Sequence, residues 1–313
     1  MATMKAVRIH TQGGPDALVY EDAPRPTPLT NEVLIRVRAA SVNPVDWKIC
    51  DGYGKEIFNH QMPLILGWDV AGTIEAVGPE VDKFKLGDPV YGYTSLFRDG
   101  AYAEFVIAKQ EEIAVKPASL DFVQAAAVPV GALTAWQVMF DTASLQENQK
   151  VLIHAASGGV GSMAVQLAKA KGVYVIGTAS ARNADFVREL GVDEFIDYQA
   201  TQFETVVHDV DVVLDTIGGD TQVRSLGVLR KDGFLVSIAE PPSQELAAQH
   251  GVRSKMVGAL PNGTQLSEIA ALIDSGKVKP FVETVLPLSE ARRAHEMSQS
   301  GRTRGKIVLQ VFG

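Results

Sequence analysis

The densest chemical signal in the chain is Lys150-Val-Leu-Ile-His-Ala-Ala-Ser-Gly-Gly-Val-Gly-Ser162. An apolar run leads into a Gly-rich turn, and a helical pattern follows. Gly158 and Gly161 stand at the second and third glycine positions of a dinucleotide fingerprint, and Ala156 replaces the first. The second glycine lets the backbone approach a pyrophosphate, and the third lets helix and strand pack closely. Ser157, Gly158, Gly159, Val160 and Gly161 would line the turn, with N–H groups at the helix start facing phosphate. The competing reading is a Gly-rich structural turn. The strand before it, the helix after it and a second strand about twenty residues on favour dinucleotide binding.

The end of that second strand selects the dinucleotide. An NAD site usually carries Asp or Glu there to accept from the ribose hydroxyls. This chain has Val175-Ile-Gly-Thr-Ala-Ser-Ala-Arg-Asn183, with no acid. Ser180 and Arg182 offer a hydroxyl and a guanidinium, which suit a 2′-phosphate that a carboxylate would repel. NADPH is therefore expected. Alternatively, Ser180 caps the next helix, Arg182 is a solvated first-turn residue, and Asp185 supplies the acid from within that helix.

These residues need elements to hold them. Residues before Asp121 read as short strands between Gly/Pro turns, with candidates Met4–His10, Glu32–Val42, Val70–Val77 and Tyr102–Ile107. That pattern predicts a β-rich domain or barrel. Beyond Asp121, strands alternate with helical periodicity. Val151–His154, Val173–Gly177, Glu194–Asp197, Val210–Asp215, Phe234–Ile238 and Lys255–Ala259 are strand candidates; Gly161–Ala170 and Ala184–Leu190 are helices. Such alternation predicts an α/β fold with a doubly wound parallel sheet. Helices Leu266–Ser275 and Glu290–Ser298 and a strand Lys306–Val311 follow.

Composition limits the function. The chain has 313 residues and a net charge of −8, which argues against a nucleic-acid surface. Cys50 is the only cysteine, so neither an internal disulfide nor a cysteine-rich zinc site can form. The start MATMKAVRIH lacks a signal-peptide pattern, and no apolar run is long enough to span a bilayer. A cytoplasmic location without membrane partners is expected.

Further segments carry a resemblance: Ser41-Val-Asn-Pro-Val-Asp46, Gly67-Trp-Asp-Val-Ala-Gly72, Gly87-Asp-Pro-Val-Tyr91, Gly131-Ala-Leu-Thr-Ala-Trp136, Asp215-Thr-Ile-Gly218 and Gly305-Lys-Ile-Val-Leu309. With the phosphate loop, the chain resembles, over nearly its full length, the medium-chain dehydrogenase/reductase superfamily. Within it, the chain is most similar to the zinc-independent quinone oxidoreductase branch with its related enone and alkenal reductases. The resemblance implies a GroES-like catalytic domain over residues 1–122 and 263–313, a Rossmann NADPH-binding domain over 123–262, and an active site in the cleft between them. It also implies a homodimer.

Zinc-dependent relatives have a cysteine ligand where this chain has Asn43, and Gly-His-Glu where it has Gly67-Trp68-Asp69. No four-cysteine zinc loop is present, and none of the six histidines is spaced for a site. No metal is expected, and His154 reads as structural. Without zinc to polarise an alcohol oxygen, reduction of an electron-poor quinone or enone fits best, since positioning and exclusion of water then suffice.

By the resemblance, Asn43 contacts cofactor or substrate near the nicotinamide. Asp46 is a structural acceptor of that loop or a proton donor. Tyr53 is a pocket wall and candidate hydroxyl donor, or an exposed aromatic. Trp68 walls the pocket or fills core. Thr134 and Tyr198 are cofactor contacts in the family, at the nicotinamide and the adenosine phosphate; helix interior and strand end are their plain alternatives. Ile217 and Ile238 follow strands where the nicotinamide ring lies, or pack in the core. Arg304 and Lys306 reach the cofactor, or form a solvated basic cluster. The alternative function is an NADPH-binding sensor or structural protein with little turnover.

Overall fold

The computed structural model describes residues 2–312. The chain forms two compact units. One runs to Val130 and takes in Leu260–Ser275 and the chain from Pro280 onward; the other comprises Gly131–Ala259 and Gly276–Lys279. The expected divisions were 122/123 and 262/263, and Gly276–Lys279, expected with the first domain, groups with the second unit. The short helix Phe122–Ala126 packs on strands Glu32–Val42 and Asp69–Val77, which keeps it with the first unit.

The second unit is built on six parallel strands. Across the sheet they run Glu194–Asp197, Tyr174–Ala179, Lys150–Ile153, Val210–Asp215, Leu229–Ser237 and Arg253–Met256. In chain order this is 3-2-1-4-5-6, the doubly wound arrangement, whose order reverses between Lys150–Ile153 and Val210–Asp215. The interior strands read as continuous apolar runs because helices cover both faces of such a sheet. Val151, Leu152, Ile153, Val213 and Leu214 are completely buried. The last strand lies slightly earlier than the expected Lys255–Ala259, since Arg253 to Met256 register on Phe234 to Ser237.

The first unit is β-rich. Its larger sheet orders Val282–Pro287, Lys306–Gln310, Glu32–Val42, Asp69–Val77, Pro89–Tyr93 and Ile113–Val115, and Phe105–Lys109 also pairs with Glu32–Val42. A three-stranded sheet holds Leu18–Pro24, Thr3–Ile9 and Leu64–Ile65. Leu18–Pro24 went unexpected because it is an edge strand ending in proline, with Val19 and Tyr20 exposed. The expected strand Tyr102–Ile107 starts only at Phe105. Before that the backbone bonds elsewhere: Tyr102 N–H donates to the Leu66 carbonyl (3.0 Å) and Glu104 N–H to that of Lys5 (2.9 Å).

Three neighbouring strands of the larger sheet matter most here. Ser41 stands opposite Asp69 on one side and opposite Val308 on the other. This register brings the Ser41–Asn43 segment, Asp69 and Lys306 to one end of the sheet, although Asn43 and Lys306 lie 263 residues apart in the chain.

Candidate functional site

In the second unit, strand Lys150–Ile153 turns sharply at Ala155, which adopts φ +49°, and enters helix Gly159–Ala170. The Ser162 N–H donates back to the Gly158 carbonyl (2.9 Å), so the N–H groups of Gly159, Val160 and Gly161 come before the first helical bond. A Cβ on Gly161 would lie 2.2 Å from the Ala155 carbonyl oxygen, so only glycine lets the helix sit this close. Ala156, where the fingerprint has its first glycine, is buried; a Cβ on Gly177 of the next strand would lie 3.0 Å from its methyl. Glycine at 177 thus leaves room for the Ala156 methyl. This cradle fits a dinucleotide pyrophosphate.

Ser157, Ser180, Arg182 and Tyr198 follow the ends of strands of the same sheet. Ser157 is buried and its hydroxyl accepts from Asn183 Nδ2 (3.0 Å). Ser180 stands at the N-cap of turn Ala181–Asn183 but makes no side-chain cap, and Arg182 beside it is exposed. Asp185, the alternative acid, pairs instead with Arg188 (3.3 Å) on an exposed helix face. Tyr198 is exposed and its N–H donates to the Ala179 carbonyl (3.3 Å), at the end of the second strand. Thr134 is buried on helix Pro129–Trp136; a Cβ on Gly131 of that helix would lie 2.8 Å from the Gly159 carbonyl, close to the phosphate loop.

Asp215 organises the far side of the crevice. Its Oδ1 accepts from the N–H groups of Ile217 and Gly218 (both 2.9 Å), and its Oδ2 from Gln222 Nε2 (3.0 Å) and Ser237 Oγ (2.7 Å). The Asp215 carbonyl accepts the Ile238 N–H (2.9 Å). The carboxylate thus pins both turns at once, leaving Ile217 exposed and Ile238 half-buried. His154 is held between Thr178 Oγ1 (3.1 Å) and Ser225 Oγ (2.9 Å). Ser225 donates to the Thr221 carbonyl (2.6 Å), so it accepts from His154 Nε2–H, which fixes the tautomer. Burial pushes this imidazole down to about 4, so it stays neutral at physiological pH.

In the first unit, Asn43 begins helix Pro44–Cys50. Its N–H donates to Asp46 Oδ2 (2.8 Å), and that same oxygen accepts from Tyr102 OH (2.8 Å). Asp46 is fully buried, and desolvation pushes its carboxyl up to about 7, against the lowering effect of those two bonds. The Asn43 side chain is only 4% exposed. Its Nδ2 donates to Asp69 Oδ2 (2.8 Å) and its Oδ1 accepts from Lys306 Nζ. Asp69 is completely buried and also accepts from Ser41 Oγ (2.6 Å) and the Val130 N–H (2.7 Å). Lys306 further donates to the Val42 carbonyl (3.0 Å) and lies 3.5 Å from Asp69. Lys306 is thus buried among Asn43, Asp69 and Val42. Arg304 lies over the Phe281 ring (4.8 Å), its N–H donating to Glu283 (3.0 Å).

Trp68 is fully buried, with its indole N–H on the Arg98 carbonyl (3.0 Å) and its ring stacked 6.2 Å from His60. His60 and the half-exposed Tyr53 line a cavity of about 300 Å³ with His10, Lys55 and Met62. Asn43, Asp46 and Lys306 are therefore gathered in one network, whereas Tyr53 lines a separate wall.

Sequence reasoning gave no role to Asp69, Tyr102 or His295. The signal for Asp69 was present: an acid beginning an apolar strand must be buried with partners. His295 is completely buried on helix Ala291–Gln299, 5.8 Å from the Tyr102 ring, and neither ring nitrogen has a hydrogen-bond partner among the described residues. Burial lowers it to about 4, below its ordinary 6.5. Between those values the folded state binds fewer protons than the unfolded chain, so this residue makes stability fall as pH drops. Asp46 works in the opposite sense over its own window. His295→Leu should therefore gain about 2 kcal/mol on wild type when denaturation at pH 5 is compared with pH 8. An unchanged difference in guanidinium titrations would rule out His295 as an acid-labile site.

Residues 30–118 match the alcohol dehydrogenase GroES-like domain, and residues 190–309 the zinc-binding dehydrogenase domain. The mitochondrial NAD(P)H oxidoreductase RTN4IP1 of Mus musculus is 34% identical, over 90% of this chain and 82% of its own length. The chain belongs to the medium-chain dehydrogenase/reductase family. It is similar as well to the chloroplast envelope quinone oxidoreductase homolog of Arabidopsis thaliana, at 33% identity over 98% of both chains. The solved quinone oxidoreductase of Coxiella burnetii superposes with a TM-score of 0.92 at 35% identity, covering 99% of this chain and 100% of that one. This family member is an oxidoreductase with a nicotinamide cofactor and a small-molecule substrate. Its β-rich unit is the GroES-like domain and its doubly wound unit the Rossmann domain. Among the described residues, no helix is long and apolar enough to cross a membrane.

Proposed function

We propose that this oxidoreductase transfers hydride from NADPH to a quinone or an α,β-unsaturated carbonyl without zinc. The observation that carries the proposal is the Asn43 amide, buried between Asp69 and Lys306 at the position where zinc-dependent relatives place a cysteine ligand. Among the described residues no three His, Cys, Asp or Glu side chains are grouped for a metal. A buried amide cannot polarise a saturated alcohol as zinc does, but it can hold the carbonyl oxygen of an acceptor that is already electron-poor.

NADPH, when bound, supplies the hydride from its nicotinamide ring. The chain's own residues bind and orient. Gly159, Val160 and Gly161 offer N–H groups to phosphate beside Gly158, Asp215 sets the turns bearing Ile217 and Ile238, and Thr134 lies on the helix that meets the phosphate loop at Gly131. Ser180 and Arg182 favour the 2′-phosphate, with Tyr198 beside them. Asn43 offers an N–H to the substrate oxygen, with Tyr53 as candidate hydroxyl donor and Asp46 and Trp68 shaping the support around it. The proposal includes a homodimer and a cytoplasmic location.

Two measurements test it. NADPH oxidation would be followed with a 1,4-quinone, a 2-alkenal, an alkyl vinyl ketone and a saturated aldehyde, with and without a zinc chelator. Turnover on the first three alone, unaffected by chelator, is expected. Loss of activity with chelator, or NADPH binding without turnover on any acceptor, would overturn the proposal. Separately, Arg182→Ala should raise KM for NADPH about tenfold, the loss of one charge-assisted hydrogen bond, and leave that for NADH unchanged. Equal rises would remove Arg182 from the 2′-phosphate site.

A further inference from the structure

The Asn43 amide has two ends of opposite hydrogen-bonding character, and each end meets a charged group of fixed character. Asp69, as a carboxylate, can only accept, and it faces Nδ2 (2.8 Å). Lys306, as an ammonium, can only donate, and it faces Oδ1. Turning the amide over would set carbonyl against carboxylate and N–H against ammonium. Neither neighbour can move to accommodate that. Asp69 is also tied to Ser41 Oγ (2.6 Å) and the Val130 N–H (2.7 Å), and Lys306 to the Val42 carbonyl (3.0 Å). All three side chains are nine-tenths or more buried, so water cannot substitute for either partner.

We propose that Lys306 and Asp69 are positioning residues that lock the polarity of Asn43, so that its remaining Nδ2 hydrogen makes this position a hydrogen-bond donor for a carbonyl or quinone oxygen. This rests on the reading that Asn43 meets the substrate. It gives Lys306 a different role from a cofactor ligand: it acts through Asn43. It also narrows the substrate class. A ligand that offers only a donor at this point meets an N–H and is rejected, because the acceptor end of the amide is already used by Lys306.

A double-mutant cycle tests the lock. Asn43→Ala, Lys306→Met and the pair would be compared by kcat and KM on the best acceptor. They would also be compared by calorimetric Kd for cyclohexanone, a ketone without a conjugated double bond. Lys306→Met leaves Asp69 with three donors, so the fold has no stranded carboxylate. Should that variant not fold, Asp69→Asn unlocks the same amide and enters the same cycle. The expectation is that Lys306→Met lowers kcat and weakens cyclohexanone about tenfold, with KM for NADPH within about twofold of wild type. In the Asn43→Ala background it should change neither by more than about twofold. Equal losses in both backgrounds would overturn the lock while leaving the catalytic role of Asn43 standing. If Asn43→Ala alone changes neither kcat nor Kd, the placement of Asn43 at the substrate fails, and the lock with it.

Discussion

Gly161→Val should abolish measurable dinucleotide binding and destabilise the Rossmann unit, whereas Gly158→Ala should spare the fold. The difference is geometric. A Cβ at Gly161 would meet the Ala155 carbonyl oxygen at 2.2 Å and the Ala156 Cα at 2.8 Å, both backbone atoms that no side-chain rotation can clear. The helix would have to move off the sheet, taking its N–H groups out of line with the phosphates. A loss of about 3 kcal/mol in stability is expected from this overpacking. At Gly158 the added Cβ would stand 3.3 Å from the same oxygen, and φ is −80°, which any residue adopts. Gly158→Ala should therefore keep stability within about 1 kcal/mol of wild type while its methyl intrudes where the pyrophosphate approaches. Urea unfolding and calorimetric titration with NADPH read the two effects separately. A stable Gly161→Val that still binds would show that this helix start does not hold the cofactor.

The second large effect is expected at Asp69. Asp69→Ala removes the acceptor shared by Ser41, Asn43, the Val130 N–H and Lys306, and leaves the Lys306 ammonium buried with only the Val42 and Asn43 oxygens as hydrogen-bond partners. Breaking a buried ion pair from one side costs about 3–5 kcal/mol, because the surviving charge keeps its desolvation penalty. Adding Lys306→Met to Asp69→Ala should return part of that stability, since no lone charge then remains. Denaturant titrations of the single and double variants decide it. A loss below about 1 kcal/mol in Asp69→Ala would mean that the hydrogen bonds to Val42 and Asn43 satisfy Lys306 by themselves.

The Rossmann unit was legible because its signals are local. The loop Ala155–Gly161 carries its own strand, turn and helix, and strand–helix alternation needs no distant partner. The acid-free end of the second strand could likewise be read in order along the chain. The network around Asn43 could not, because it depends on register across the sheet. Ser41 faces Asp69 and Val308 only once three strands have aligned, and nothing near Lys306 in sequence announces a buried ammonium. Helix Pro44–Cys50 was missed despite its start signature of asparagine, proline and, at the third position, aspartate. His295 was hidden for another reason: charged neighbours make helix Ala291–Gln299 read as a solvated face, and burial of one imidazole there depends on what packs against it.

The register of strand Lys306–Gln310 also bears on how the protein is made. A ribosome elongating at about 5–20 residues per second completes Asn43 roughly 13–50 s before Lys306, which lies 263 positions later. Residues Gly131–Ala259 can close their parallel sheet within that interval, but the Ser41–Val42 end of the nascent GroES-like sheet cannot. It waits as an unpaired edge, open to other nascent chains, with Asp69 still lacking its counter-charge. Chaperone demand during synthesis should therefore fall on the first-made domain, which is the last to be finished.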